Sequence, residues 1–303
     1  MYIHLSMKRF VLQIFLTVST ITLMGQHLHD SIPLIAKNAS LKKISSEFLF
    51  TEGPIADKSG NVFFTDQPND RIMKWTPSSG IIEYMKPSGR ANGLYIDKKG
   101  DLYACADEKN QIWKIDNQKK VTIIAESVNG KRFNGPNDLW IGRNGFIYFT
   151  DPFYKREYWS HTTSELDHEA VYLISNSNEI RMIDTTLRQP NGIIGSDKNN
   201  ILYVSDIRDR KTYSYTIQSD GSVSGRKLFC NMGSDGMTID KKGNIYLTGR
   251  GVTIFDKYGK RIGNIPVPEP WTANVTFGGK GKKTLFITAS RSVYTLKMKV
   301  KGQ

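Results

Sequence analysis

The stretch Asn134-Gly-Pro-Asn-Asp-Leu-Trp-Ile-Gly-Arg-Asn-Gly-Phe-Ile-Tyr-Phe-Thr-Asp151 decides how the chain is read. It starts with polar residues at a strand mouth and runs through a short apolar strand. It then turns at Asn144-Gly145 and returns along a second strand, rich in aromatic and β-branched residues, that ends in Thr150-Asp151. Aligned on Asn137, five other segments repeat the pattern: Glu52 to Asp66, Asn92 to Ala106, Asn191 to Asp206, Asp235 to Gly249 and Asn274 to Ala289. Their first residues are separated by 40, 45, 54, 44 and 39 positions. A period of about 40 to 50 residues with several strands per unit marks a β-propeller, whose four-stranded blades bury their faces only by stacking on one another. The sequence thus predicts an all-β, six-bladed propeller of four-stranded antiparallel blades.

In the second blade the pattern places strands at Leu94 to Ile96, Leu102 to Cys105, Gln111 to Ile115 and Val121 to Ala125. After Ser290 the sixth blade has residues for a third strand, Ser292 to Lys297, and little more. The segment Leu41 to Phe48 is expected to supply the missing outer strand, so that the N-terminal strand closes the ring and leaves no open edge. Residues 27 to 303 read as one domain without a linker.

Lys8 and Arg9 precede an apolar run from Phe10 to Met24, followed by Gly25-Gln26. This run is short for a bilayer span and has the charged and apolar regions of a secretory signal, so residues 1 to 26 are expected to be removed from a secreted or periplasmic protein. About 275 residues remain, enough for one large core and no stable membrane insertion. Cys105 and Cys230 fall in different blades and read as two buried thiols rather than a disulfide. The formal charge is +13, and +11 without Lys8 and Arg9. Much of that excess lies in hairpin turns (Lys58, Lys98, Lys99, Lys198, Lys241, Lys242) as a solvated rim, with no nucleic-acid recognition element beside it. A closed ring needs no partner, so a monomer is expected.

Blade topology decides which residues meet. If each chain segment descends its inner strand and ascends the next, the residues that begin the inner strands crowd one mouth of the central channel, and the lysine-rich turns lie at the other. The six are Glu52, Asn92, Asn137, Asn191, Asp235 and Asn274. Asn or Asp before Gly is often just a turn residue, but Glu52 is not explained that way, and all six are polar. Two carboxylates and four amides make an oxygen-only donor set, which suits Ca²⁺ first and then Mg²⁺ or Mn²⁺, and lacks the His and Cys ligands typical of Zn²⁺.

The phrases Glu52-Gly53-Pro54, Asn134-Gly-Pro-Asn-Asp138, Phe149-Thr-Asp-Pro152, Pro190-Asn-Gly192 and Ser234-Asp-Gly-Met237 resemble, in order and across nearly the whole mature chain, the gluconolactonase, senescence-marker-protein (regucalcin) and luciferin-regenerating-enzyme family. The resemblance implies one catalytic divalent metal in the channel, Ca²⁺ foremost with Mg²⁺, Mn²⁺ or Zn²⁺ as alternatives. Its ligands would be Glu52, Asn137, Asn191 and Asp235. It also implies a small-molecule substrate, a sugar lactone. A metal in an open-mouthed site polarises a lactone carbonyl and stabilises the tetrahedral oxyanion. Asp235 is then the best candidate general base, because a carboxylate bound through one oxygen can accept a proton through the other. Glu52, read as lying nearly across the ring, anchors the metal.

Substrate contacts are expected from Asn92, from Arg132 and Asn134, and from the longest departure from the repeat, Pro152 to Ala170, which should lie over the same mouth as a lid or wall. There Tyr154, Tyr158 and Trp159 can stack on a sugar ring, and Lys155 and Arg156 can meet an acidic group. The alternative is that these aromatics merely pack the loop down. An Arg shortly before the third-blade Asn contacts substrate in the family, and Arg132 resembles it. Two other functions stay open for the same face: phosphotriester hydrolysis, and a non-catalytic carbohydrate- or protein-binding propeller with a structural calcium.

Overall fold

A computed structural model describes residues 32–303; the expected signal segment lies outside them. Six four-stranded antiparallel sheets surround a channel. Blade 1 comprises Thr51–Ala56, Val62–Asp66, Arg71–Thr76 and Gly80–Met85, and blade 2 Ala91–Ile96, Leu102–Ala106, Gln111–Ile115 and Val121–Ala125. Blade 3 comprises Leu139–Ile141, Ile147–Asp151, Ala170–Ile174 and Ile180–Asp184, and blade 4 Pro190–Ser196, Ile201–Asp206, Lys211–Ile217 and Val223–Cys230. Blade 5 comprises Met237–Ile239, Ile245–Gly249, Gly251–Phe255 and Arg261–Ile265. Blade 6 has Asn274–Gly278, Thr284–Ala289 and Ser292–Lys297, and its outer strand is Lys42–Ser45, with Lys43 opposite Tyr294. The closing strand is shorter than Leu41 to Phe48, because ladder pairing is kept only from Lys42 to Ser45, with an irregularity at Ile44. Among the described residues no helix is long and apolar enough to cross a membrane.

Burial follows the layers. The second strands are almost wholly buried because a blade packs on each face, Val62–Asp66 and Ile147–Asp151 at every position. Outer strands such as Val121–Ala125 are mostly open to solvent. Between blades the sheets interlock through aromatics. Phe64 and Trp75 of blade 1 meet Phe286 of blade 6 at 5.5 and 5.3 Å, and Tyr246 of blade 5 meets Phe277 of blade 6 edge-on at 5.1 Å. Tyr148, fully buried, donates its hydroxyl to the Gly221 carbonyl at 2.9 Å. Each such side chain contributes on the order of 2 kcal/mol by leaving water. Cys105 and Cys230 are buried free thiols, as the sequence predicts.

Hydroxyl and carboxylate residues at the ends of several second strands (Thr65-Asp66, Thr150-Asp151, Ser205-Asp206, and Thr248 before Gly249) stitch neighbouring blades. Thr65 donates to the Asn92 carbonyl at 3.0 Å, Thr150 to the Asn191 carbonyl at 2.6 Å and Thr248 to the Ala273 carbonyl at 2.7 Å. The following carboxylates turn back onto the loop that enters their own blade. Asp66 accepts from the Leu49 and Phe50 amides, Asp151 from Asn134 and Gly135, and Asp206 from Arg188 and Gln189. The hydroxyl thus fixes the backbone at or just before the next residue in the ring, and the carboxylate fixes the approach to its own.

Candidate active site

The Gly that follows four of the six ring residues is not a turn residue. Gly53, Gly93 and Gly192 lie within inner strands, and Gly236 lies just before one. Each is the point where the next blade passes. A Cβ at Gly93 would come within 2.6 Å of the Asn137 carbonyl and of Asp138 Oδ1, and one at Gly192 within 2.8 Å of the Asp235 carbonyl. At Gly236 a Cβ would overlap the Asn274 amide itself. The missing side chains let six inner strands converge, and the polar residues converge with them.

Five of the six ring residues line one cavity of about 400 Å³: Glu52, Asn92, Asn137, Asn191 and Asp235. The sixth, Asn274, is buried behind them and donates from Nδ2 to Glu52 Oε2 at 3.2 Å. Glu52 and Asp235 do not face each other across the ring. Blade 6 alone separates their blades, so Asn274 stands between them in the circuit. Glu52 is 2 % exposed and its Oε2 also accepts the Gly53 amide at 2.7 Å. Burial, and then the Asp235 charge, hold the Glu52 carboxyl well above its ordinary range. Burial likewise raises Asp235 to about 6, against the indole of Trp271, which donates to Asp235 Oδ2 at 2.6 Å. A third carboxyl, Asp138, sits deeper in the channel and burial lifts it to about 7.

Amide side chains surround this acidic pair. Asn191 spends its Nδ2 on the Tyr154 hydroxyl at 3.0 Å, and its Oδ1 is buried without a hydrogen-bond partner among the described residues. Buried carbonyl oxygens rarely go unpaired in the absence of a ligand. Among the described residues no three His, Cys, Asp or Glu side chains cluster as a metal site, so a cation here must draw on amides as well as carboxylates.

The remaining expectations divide. Tyr154 and Asn92 line the cavity. Arg132 does not: its guanidinium pairs with Glu165 at 2.7 Å. Asn134 is buried and staples the loop, donating to the Asp151 and His168 carbonyls at 3.1 and 2.9 Å. Trp159 is buried as well, with its indole on the Asp107 carbonyl at 2.7 Å and its ring stacked on His161 at 4.7 Å. These three lie outside the cavity and hold the loop of residues 152–169 in place. Lys155 is exposed, and Arg156 lines the cavity in its stead. Phe50, Gln67, Ile207 and Trp271 complete the wall. No ring pattern singles them out, but all lie on the loops that blade topology assigns to this mouth.

The fold and mouth together define a class: six-bladed propellers that present carboxylate and amide oxygens at one end of the channel. Residues 50–291 match the model of the SMP-30/Gluconolactonase/LRE-like region, and the chain belongs to that family. It is 31% identical over 293 residues to a gluconolactonase of Zymomonas mobilis, covering 86% of this chain and 82% of that one. A pentonolactonase of Haloferax volcanii is 22% identical, over 79% and 81% of the two chains. Among solved structures, a gluconolactonase of Xanthomonas campestris superposes with a TM-score of 0.82 at 25% identity, covering 89% of this chain and 93% of its own.

Proposed function

We propose that the protein hydrolyses sugar lactones at the mouth lined by Glu52, Asn137, Asn191 and Asp235, with a divalent cation, Ca²⁺ foremost, held by those four residues. Membership of a family that contains gluconolactonases supports the lactone class. The single observation that carries the site is two carboxylates crowded at one mouth, Glu52 raised by burial and by the Asp235 charge and Asp235 raised by burial, beside a buried amide oxygen with no partner among the described residues. Such a pair repels unless a proton or a cation neutralises it. All the donors are oxygens, as Ca²⁺ or Mg²⁺ prefers.

When bound, the cation supplies Lewis-acid polarisation of the lactone carbonyl. The side chains divide the rest. Glu52 Oε2 is committed to Gly53 and Asn274, so Glu52 is a fixed anchor. Asp235 is less buried and faces the cavity, which makes it the carboxylate that water can reach. Asp235 takes a proton as the water oxygen bonds to the carbonyl carbon. The ring C–O bond then breaks, and the released alkoxide takes up a proton to give the hydroxy acid. Trp271 holds the Asp235 carboxylate in one rotamer, and the Tyr154 hydroxyl orients the Asn191 amide. Export through the segment Lys8 to Met24 and a monomeric state complete the proposal.

The test is hydrolysis of an aldonolactone panel, plus one phosphotriester, by protein stripped with chelator and resupplied with single cations. Activity should vanish and return with a cation. Asp235→Asn should lower kcat by about 10³-fold or more with the melting temperature nearly kept. If Asp235→Asn retains wild-type turnover, its role as base is wrong. If no lactone is opened while a cation still raises the melting temperature, the cation is structural.

A further inference from the structure

Asp107 departs from the stitching pattern. In blades 1, 3 and 4 the second strand ends on an aspartate that holds its own entry loop, but in blade 2 that position is Ala106 and the carboxylate comes one residue later. Asp107 is 2 % exposed and turns instead to the long loop of blade 3. Its Oδ2 accepts from Arg156 Nε at 2.9 Å, from Gln67 Nε2 at 3.3 Å and from the Tyr158 hydroxyl. Arg90 lies over the Tyr158 ring at 4.6 Å. The loop is thus anchored on blade 2 by one buried acid.

Arg156 spends only Nε on that anchor. Among the described residues its two terminal nitrogens have no hydrogen-bond partner, and the residue borders the cavity with Asn92, Asn137, Tyr154 and Asp235. The guanidinium is also braced against the Tyr154 ring at 5.6 Å. A guanidinium fixed at Nε presents its outer N–H groups as a rigid fork. Because Asp107 neutralises its charge, the fork offers hydrogen bonds rather than net attraction for anions.

We propose that Arg156 is the substrate-orienting residue of this site, binding the hydroxyl oxygens of a polyhydroxylated lactone, and that Asp107 is the positioning residue that aims it. The proposal rests on the lactonase reading and goes beyond it by assigning what reads the hydroxyls. A hydroxyl-reading donor should discriminate strongly against a ligand that lacks the hydroxyl.

The experiment compares glucono-δ-lactone with δ-valerolactone, which keeps the ring ester but has no hydroxyls, in cation-loaded wild type, Arg156→Met, Arg156→Lys and Asp107→Asn. Arg156→Met should lower kcat/KM for glucono-δ-lactone by about 10- to 100-fold, mainly through KM, and change δ-valerolactone by less than about threefold. Arg156→Lys keeps the charge but loses the fork, and should recover only part of the difference. Asp107→Asn should raise KM for the hydroxylated substrate alone, a selective effect that general loosening of the fold would not give. An unchanged ratio of the two substrates in Arg156→Met, with the melting temperature kept, would overturn the assignment. Calorimetric binding of gluconolactam, which is not hydrolysed, separates the two readings. If wild type opens no lactone yet binds the lactam in an Arg156-dependent way, the lactonase reading falls and the Arg156 assignment stands. Binding that ignores Arg156, or no binding, overturns the assignment.

Discussion

Gly236→Ala should damage the ring without touching any of the four proposed cation ligands. A Cβ at this position would meet Cγ, Oδ1 and Nδ2 of Asn274, all well inside the 3.0 Å that real Cβ contacts respect. Relief to an ordinary carbon contact requires the amide to move by roughly 1.5 Å. Asn274 Nδ2 bonds Glu52 at 3.2 Å, close to the outer limit of such a bond, and its Oδ1 accepts the Val275 amide at 2.8 Å. The Glu52 bond does not survive that shift. Losing a buried bond to a carboxylate costs about 1.5–3 kcal/mol and an off-rotamer amide about 1 kcal/mol, offset by about 0.5–1 kcal/mol from a stiffer unfolded chain. The net loss is about 2–3 kcal/mol, or roughly 5–10 °C in melting temperature for a domain of this size. Thermal unfolding with and without Ca²⁺, alongside lactone hydrolysis, measures it. The decisive comparison is Gly236→Ala in an Asn274→Ala background. There the clash has no partner, so the added Ala should cost almost nothing, and the two changes should be far from additive. If Gly236→Ala costs the same in both backgrounds, the packing of Gly236 on Asn274 is wrong.

Cation affinity should fall as pH drops, because Asp235, raised to about 6, and Glu52, raised further above its ordinary range, must release protons before they ligate. Below about pH 6 the apparent Kd should rise by about ten- to a hundredfold per unit, and calorimetry in buffers of different ionisation enthalpy should count one to two protons released; an affinity flat from pH 5 to 8 contradicts the coupling. Asp151 gives a stability test of definite sign. Burial raises its carboxyl from 3.8 to about 7, so the folded state binds the proton more tightly than the unfolded one, and the stability this contributes is full below about pH 4 and lost as pH rises through about 7. The advantage of wild type over Asp151→Asn in chemical denaturation should therefore shrink by roughly 4 kcal/mol across that window, and a constant difference would refute it.

The repeat made the blades and the ring legible, because both depend on local pattern. Period-2 strands, hairpin turns and a polar residue at each inner-strand start are written within about 15 consecutive residues of each unit. The loops were legible only as to which face they serve. Arg132 and Arg156 are both arginines on the correct face, and nothing near either in sequence tells which enters the cavity. The decision is made by partners far along the chain: Glu165 captures Arg132 from 33 residues away, and Asp107 captures Arg156 from 49. Asn134 and Asn137 are equally polar and three positions apart, but the earlier one is consumed by the Asp151 and His168 carbonyls. Trp271 contacts Asp235 across 36 residues and carries no motif of its own. The ring glycines were visible from the start, but their role as crossing points needed the neighbouring blade.

The borrowed outer strand of blade 6 has a consequence for synthesis on the ribosome. Lys42–Ser45 emerges early, while its partner Ser292–Lys297 follows about 250 residues later, a delay of roughly 10 to 50 s at ordinary elongation rates. For that interval the strand has no sheet to join. Lys42 and Lys43 leave Ile44 as its one aliphatic residue, so the waiting segment is a poor template for pairing with another nascent chain. The charges that make the strand weak alone also let it wait for the last blade, and the ring closes only after nearly the whole propeller has been made.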